Sequence, residues 1–135
     1  MPTEHRVLTA AALATLTACA IGPLQPDLAA RAPALDGFGT IAMPMTTNSG
    51  AARGLFQQGL LQAYAFNEKE AVRQFKAALA ADPACAMCAW GVAWQLGPNI
   101  NAPERGDLNE ARQYVVHAQR HAGAATARER GLIDA

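Results

Sequence analysis

The sequence predicts an all-α fold in which antiparallel helix-turn-helix units stack on one another. Its composition favours helix, because the 135 residues are 51% hydrophobic but only 6% aromatic, and alanine supplies much of the apolar fraction. Long runs of Val, Ile and Thr, which would favour strands, are absent. Small and bulky residues also recur at separations typical of paired helices. These residues are Gly59, Ala71, Phe75, Ala78 and Pro83. Such units are expected to stack, because two helices alone cannot bury their apolar faces.

The charge balance argues against a nucleic-acid partner. Lys and Arg together number 11, Asp and Glu also number 11, and the formal net charge at pH 7 is zero. Nucleic-acid binding usually rests on a basic face, and the sequence contains no basic stripe. The length suits one small domain.

Residues 1–18 are predicted to be a lipoprotein signal peptide. The uncharged run Val7–Ala18 is shorter than the roughly 20 residues of a membrane-spanning helix, but it suits the apolar part of a signal peptide. Leu16-Thr17-Ala18-Cys19 resembles a bacterial lipobox, in which the cysteine is lipidated and becomes the first mature residue. The alternatives are an ordinary secretory signal or a buried apolar helix. Ala20 after the cysteine implies, by resemblance to Gram-negative lipoproteins, a protein anchored in the outer membrane and facing the periplasm.

Residues 19–48 are predicted to be a Pro/Gly-rich tether that lets the following domain stand off the membrane. The residues that interrupt regular structure here are Pro23, Pro26, Pro33, Pro44, Gly22, Gly37 and Gly39. Phe38, Ile41 and Met43 alternate with small residues, so a brief extended segment is expected to dock on the domain. The stretch 46–49 is rich in residues that cap helix N-termini.

Apolar spacing predicts the first two helices of a domain over residues 49–135. The first helix runs from about 50 to 66, where apolar residues recur at i, i+3 and i+4. Asn67 and Glu70 have the spacing of a capping pair and are expected to open the second helix. Asp82-Pro83 is expected to end it, because proline lacks a backbone donor and clashes with the preceding turn.

Three further helices are predicted beyond this point. One spans about 85–96 and is followed by Gly97–Pro103, which is either a functional loop or a rigid connector whose Asn side chains satisfy backbone groups. The pairs expected to open the fourth and fifth helices are Asp107 with Glu110 and Thr126 with Glu129. The fifth helix reaches Ala135 with no stop signal, so the chain is expected to be truncated at its C-terminus.

The unit from about 52 to 85 resembles a tetratricopeptide repeat. The family's small, aromatic, Ala and Pro positions are filled by Gly59, Ala71, Phe75, Ala78 and Pro83. The unit departs from the family at Leu55 and Gln62, which stand where the family has Trp and Tyr. The resemblance implies a short solenoid of stacked helix pairs.

A second, weaker unit begins at Ala86. Its Trp90 stands one position late, Ala93 replaces the packing Gly, and the loop between its helices is longer than standard. The segment from about 45 onward also resembles a group of secreted bacterial repeat proteins. The runs that carry this second resemblance are Phe56–Leu60, Tyr64–Asn67 and Leu96–Asn101.

The tetratricopeptide resemblance implies a concave groove that binds a protein or peptide partner. In that family the first helix of each unit lines the groove. The residues so implied are Phe56, Leu60, Tyr64, Met87, Trp90 and Trp94. The alternative, for about half of them, is that they are simply core. Aromatic side chains in a groove would anchor a peptide through the area they bury.

Cys85 and Cys88 are candidates for a disulfide or a redox site. Their spacing suits a reversible disulfide, and a helix N-terminus lowers the pKa of a thiol. An exported protein makes a disulfide plausible. The alternatives are two packed thiols, thiol exchange, or a metal site for copper or zinc.

His117 and His121 are weak metal candidates. They stand four residues apart and would share one helix face, which suits a metal ion. The alternative is two solvated histidines on a polar face. No cofactor is expected.

No grouping of nucleophile, base and acid suggests catalysis. The sequence therefore predicts a non-enzymatic scaffold for protein–protein interaction, held at the membrane by its lipid and binding no nucleic acid. The alternative is a thiol or metal protein that uses Cys85 and Cys88.

Overall fold

Five α-helices carry the described part of the chain, which in this computed structural model comprises residues 35–101, 103 and 106–135. The helices are α1 (Gly50–Tyr64), α2 (Glu68–Ala81), α3 (Ala86–Leu96), α4 (Leu108–His121) and α5 (Ala127–Asp134), with a 3₁₀ turn at Ala122–Ala124. These residues contain no strand, so the all-α prediction is confirmed. No helix among them combines the length and the apolar character needed to cross a bilayer. The predicted signal peptide and Cys19 lie outside the described residues.

Polar caps begin three of the helices where the sequence places them. The Ser49 side chain accepts a hydrogen bond from the Ala52 backbone N–H at 3.1 Å and so caps α1. Asp107 accepts from the Glu110 backbone N–H at 3.0 Å and caps α4. Thr126 and Glu129 form a complete capping box at the start of α5, each accepting from the other's backbone N–H.

The turn between α1 and α2 differs from the prediction, because Asn67 does not cap α2. The backbone N–H groups of Phe66 and Asn67 bond back to the carbonyls of Ala63 and Gln62, which is the Schellman pattern of a helix C-terminus. This pattern holds Asn67 against α1, and its side chain donates to Gln62 Oε1 at 2.9 Å. Glu70, the other half of the predicted capping pair, accepts from Arg73 and Gln74 instead.

One phenylalanine ring joins three helices at the centre of the core. A Cβ atom on Gly59 of α1 would lie 2.5 Å from the Phe75 ring, and one on Gly91 of α3 would lie 2.6 Å from it. The ring therefore fits only because neither helix carries a side chain at these points. In α3 the close contact falls on Gly91, whereas the prediction gave the packing position to Ala93; Ala93 is buried nearby. Of the remaining repeat positions, Ala71 and Ala78 are fully buried and Pro83 is exposed.

The first four helices run in alternating directions. Residues at the start of α1, after α2 and after α4 line one depression, and these include Ser49, Asp82, Ala84 and Ala124. The opposite ends of the helices meet at a second depression, lined by Tyr64, Glu68, Gln95 and Gly106 among others. Each helix packs on the next, α1 also contacts α3, and α3 also contacts α5.

The chain packs onto the helices before α1 begins. Met45 is buried in the core, and Ile41 and Met43 pack partly against it, whereas Phe38 is half exposed. The backbone N–H and hydroxyl of Thr46 both donate to the Glu129 carboxylate of α5, at 2.5 and 2.7 Å. Residues 41–48, called the docked segment below, thus connect the last part of the predicted tether to the fifth helix.

Candidate binding cleft

The structure separates the six predicted groove residues into two sets of three. Phe56, Leu60 and Met87 are fully buried. All three belong to the hydrophobic core: the Phe56 ring lies 5.2 Å from that of Phe75 in α2, and Met87 borders a small cavity that Thr46 and Glu129 also line. This placement corrects the groove assignment for these three residues and agrees with the core alternative.

The other three predicted groove residues form an aromatic row at the surface. The rings of Trp90 and Trp94 are stacked, with centroids 5.4 Å apart and planes 13° from parallel. Tyr64, at the end of α1, meets Trp94 edge-on at 6.2 Å. Trp94 is 41% exposed and Tyr64 is 66% exposed, so both present ring surface to a ligand.

Further apolar side chains extend this row into a cleft. Phe66, in the turn after α1, is 84% exposed, and Ile100, in the loop after α3, is 95% exposed. A cavity of about 360 Å³ opens between them. The principal side chains of this aromatic cleft are those of Tyr64, Phe66, Glu68, Trp94, Pro98 and Ile100.

The loop between α3 and α4 forms one wall of the aromatic cleft. Asn99 donates from its side chain to Glu68 Oε1 at 2.8 Å, and its own Oδ1 accepts from the Asn101 backbone N–H at 2.8 Å. A Cβ atom on Gly106 would lie 3.0 Å from the Leu96 carbonyl oxygen, so the end of the loop returns closely to α3. The Asn99 side chain thus joins the loop to α2 and holds the turn that places Ile100 at the cleft.

Phe66 occupies the cleft at a conformational cost. Its φ is +59°, in the left-handed region that usually takes glycine when a helix ends in a Schellman turn. For residues with a side chain this region costs on the order of 1–2 kcal/mol. Nothing buries the Phe66 ring to compensate, since it is one of the most exposed large side chains among the described residues. Backbone strain that no packing contact offsets is typical of a functional position.

The described residues that line the cleft carry one formal charge, which is the negative charge of Glu68. The C-termini of α1 and α3 reach the cleft, and neither helix has a basic residue in its last turn. The starts of α2 and α4 reach it as well, so the partial charges of the helix ends oppose one another. None of the described residues that line the cleft is Lys or Arg.

Cys85 and Cys88 are joined by a disulfide with an S–S distance of 2.11 Å. Their residues are 1% and 0% exposed. The Cys85 sulfur also serves as the N-cap of α3, where it lies 3.1 Å from the Cys88 backbone N–H. Thiol exchange requires an attacking thiolate to reach a sulfur atom. The burial therefore favours a structural role for this bond.

His117 and His121 lie side by side on α4, with ring centroids 4.6 Å apart. The Nε2 atom of His117 lies 2.8 Å from the Pro83 carbonyl oxygen, and since a carbonyl only accepts, this nitrogen donates. The bond ties α4 to the turn between α2 and α3. Within the described residues, no third His, Cys, Asp or Glu completes a metal site with these two.

A scan against models of protein families, a search of curated proteins and a search of solved structures found no match to this chain. Sequence reasoning did not single out Phe66, Ile100 or Glu68 as site residues. Ile100 carried a usable signal, because an apolar side chain in a loop of Gly, Pro and Asn has no packing reason to be there. No sequence feature marked Phe66, because its left-handed conformation follows from a Schellman turn that the sequence did not predict.

Proposed function

We propose that this chain is a non-enzymatic scaffold for protein–protein interaction, and that its aromatic cleft holds a segment of the partner. The observation that carries the proposal is the convergence of Tyr64, Phe66, Trp94 and Ile100, all exposed, around one cavity. Clustered exposed apolar side chains on a small protein mark interaction surfaces, and Trp and Tyr are the residues most often found as binding hot spots.

The shape of the cleft suits a peptide more than a small substrate. Its volume is near the lower end of the roughly 300–1,000 Å³ of small-molecule pockets. Its walls are two helix ends and a loop, so the cavity is open along the surface. A short segment crossing it would seat one or two side chains and leave its backbone near the polar rim at Glu68 and Asn99.

We further propose that the helices form a short tetratricopeptide-like solenoid. Alternating helix directions, the contact of α1 with α3, and the contact of α3 with α5 support this arrangement. The close packing of Phe75 on Gly59 supports the register taken from the family resemblance. The cleft lies at the edge formed by the helix ends, whereas the positions that the family uses for its groove are half occupied by core residues.

The proposed location is the periplasmic face of the outer membrane, through a lipid on Cys19. The lipobox sequence supports it. The chain enters α1 at the end of the helices opposite the aromatic cleft. A lipid anchor preceding that point would leave the cleft free for a partner. The thiol or metal alternative would need access to Cys85 and Cys88, which are buried.

Selection from a random heptapeptide phage library on the purified full chain tests the binding function. Enriched peptides should bind the unmodified chain in solution and should lose about tenfold or more in affinity to Trp94→Ala, as expected when a hot-spot aromatic is truncated. Val115→Ala is the matched control, since it removes a partly exposed apolar side chain on α4 that does not line the cleft. Enriched peptides that bind Trp94→Ala and the unmodified chain equally would refute the proposal.

A further inference from the structure

The geometry points to an arginine side chain, presented by an extended segment of a partner protein, as the group that the aromatic cleft receives. This inference rests on the binding function proposed above and adds the chemistry of the ligand. It depends on two independent properties of the cleft: a supported indole face and a surplus of negative charge.

The indole ring is that of Trp94, which is 41% exposed. Trp90 stacks on one side of this ring at 5.4 Å and Tyr64 meets it edge-on at 6.2 Å, so two neighbouring rings fix its orientation and a ligand would contact the ring surface that they leave open. Tryptophan is the aromatic residue that attracts cations most strongly over its face. The planar guanidinium group of arginine stacks on such a face as well as being attracted to it, which lysine cannot do. The methylene stem of arginine would lie along apolar surface such as that of Ile100.

The negative charge is that of the Glu68 side chain. The helix ends add little to it, because the starts of α2 and α4 meet the ends of α1 and α3 at the cleft, and the turn after α1 bonds to the carbonyls of Leu61, Gln62 and Ala63. The Asn99 side chain donates a hydrogen bond to the Glu68 carboxylate at 2.8 Å. Among the described residues, no Lys or Arg forms an ion pair with Glu68. A guanidinium group would supply donors to this carboxylate.

The same two properties disfavour the other side-chain classes. A carboxylate would be repelled by Glu68. A leucine would fill the apolar part but would leave the polar rim without a donor. A citrulline has the shape of arginine without its charge, and it therefore isolates the electrostatic part of the preference.

Pooled heptapeptides test the inference directly. Each pool has degenerate flanks and one fixed central residue, which is Arg, Lys, citrulline, Leu or Glu, and carries a fluorescent label for anisotropy titrations with the full chain. The Arg pool should bind tightest, with Lys next. The citrulline pool should bind about tenfold more weakly than the Arg pool, which corresponds to the loss of a partly desolvated cation–π contact. The Glu pool should bind most weakly.

Two variants separate the two properties. Glu68→Gln should lower the affinity for the Arg pool by about threefold and leave the affinity for the Leu pool unchanged, because an exposed ion pair contributes modestly. Trp94→Leu keeps an apolar side chain and should lower the affinity for the Arg pool by about tenfold. Val115→Ala should change neither pool.

Several outcomes would overturn the inference. Equal binding of the Arg and citrulline pools, or tighter binding of the Leu or Glu pool, would remove the arginine preference while peptide binding as such survived. Failure of all five pools would also overturn it, and the phage selection would then decide separately whether the cleft binds any peptide. Self-association of the chain in sedimentation, abolished by Trp94→Leu, would make a second copy the occupant and would likewise refute a partner arginine.

Discussion

Gly59 and Phe75 are in such close contact that no side chain fits between them: a Cβ atom on Gly59 would lie 2.5 Å from Cε1 of the Phe75 ring. A Cβ atom on Gly91 of α3 would likewise lie 2.6 Å from Cδ1 of the same ring. The aromatic ring of α2 therefore sets the separation of α1 and α3, and with it the distance between the two helix ends that form the aromatic cleft.

Enlarging Gly59 should destabilise the protein by overpacking. We expect Gly59→Leu to lower the free energy of unfolding by about 1–3 kcal/mol, measured by urea denaturation. Gly54→Ala is the matched control on the same helix, because a Cβ there meets nothing within 4 Å. It should raise stability by about 0.5–1 kcal/mol through helix propensity. A Gly59→Leu protein as stable as the unmodified chain would refute the packing described here.

Relieving the strain at Phe66 should raise the stability of the protein but weaken its binding of peptide. Phe66→Gly places glycine at the left-handed position and should stabilise the protein by about 1 kcal/mol. It should also weaken the binding of the peptides selected on the chain, since it removes a side chain of the cleft. Ala65→Gly is the control, because Ala65 has an ordinary φ of −83° and glycine there should only destabilise. Unchanged binding by Phe66→Gly would remove Phe66 from the site.

The contact between the docked segment and α5 should make stability depend on acid pH. Burial alone would raise the pKa of the Glu129 carboxyl, but hydrogen bonds from Thr46 and Thr126 outweigh it and lower the pKa below its ordinary value of 4.5. A group with a lowered pKa in the folded state stabilises the protein above its unfolded pKa. That contribution is lost as the pH falls below about 4.5 toward the folded pKa.

Glu129→Gln measures this contribution. It should cost about 1–3 kcal/mol at pH 7, because hydrogen bonds to a buried carboxylate are lost. Between pH 5 and the pH of acid unfolding, the unfolding free energy of this variant should also decrease less steeply with falling pH than that of the unmodified chain. Asp134→Asn, an exposed change on the same helix, should leave both quantities unaltered. The same acid slope in Glu129→Gln as in the unmodified chain would contradict this assignment.

The proposed lipid anchor requires Cys19. We expect Cys19→Ser to release the protein from the membrane fraction or to block its processing, because serine offers no thiol for lipid attachment. Fractionation of a bacterial host and the mass of the mature N-terminus are the measurements. Cys85→Ser, which keeps the lipobox, is the control and should still be processed. Retention of the Cys19→Ser protein in membranes with an unchanged N-terminus would refute the anchor.

The sequence predicted the helices well because their signals are local. Ser49, Asp107 and Thr126 cap helices through hydrogen bonds within three residues, and apolar spacing within each helix marks its buried face. Asn67 has an equally good capping pattern, but a Schellman turn competes for the same residue and prevails. A local sequence pattern does not show whether Asn67 will cap α2 or complete the Schellman turn after α1.

The cleft was predictable only in part, for a different reason. Trp94 and Tyr64 were placed by the family register, yet the same register also gave the groove three residues of the core. Burial of Phe56 and Leu60 depends on how far α2 lies from α1, which is a tertiary property set by Phe75 and the glycines. The contribution of Phe66 depends on its backbone conformation, and that of Glu68 on a loop more than thirty residues away along the chain.

The most direct test of the binding account is an NMR titration of the ¹⁵N-labelled full chain with a peptide from the phage selection. The chain has two tryptophans, Trp90 and Trp94, so its indole region contains two signals that point substitutions assign. We predict that the peptide shifts the Trp94 indole signal together with the backbone amides of Phe66 and Ile100. Shifts confined to α4 and α5, with the Trp94 signal unmoved at saturation, would contradict the account.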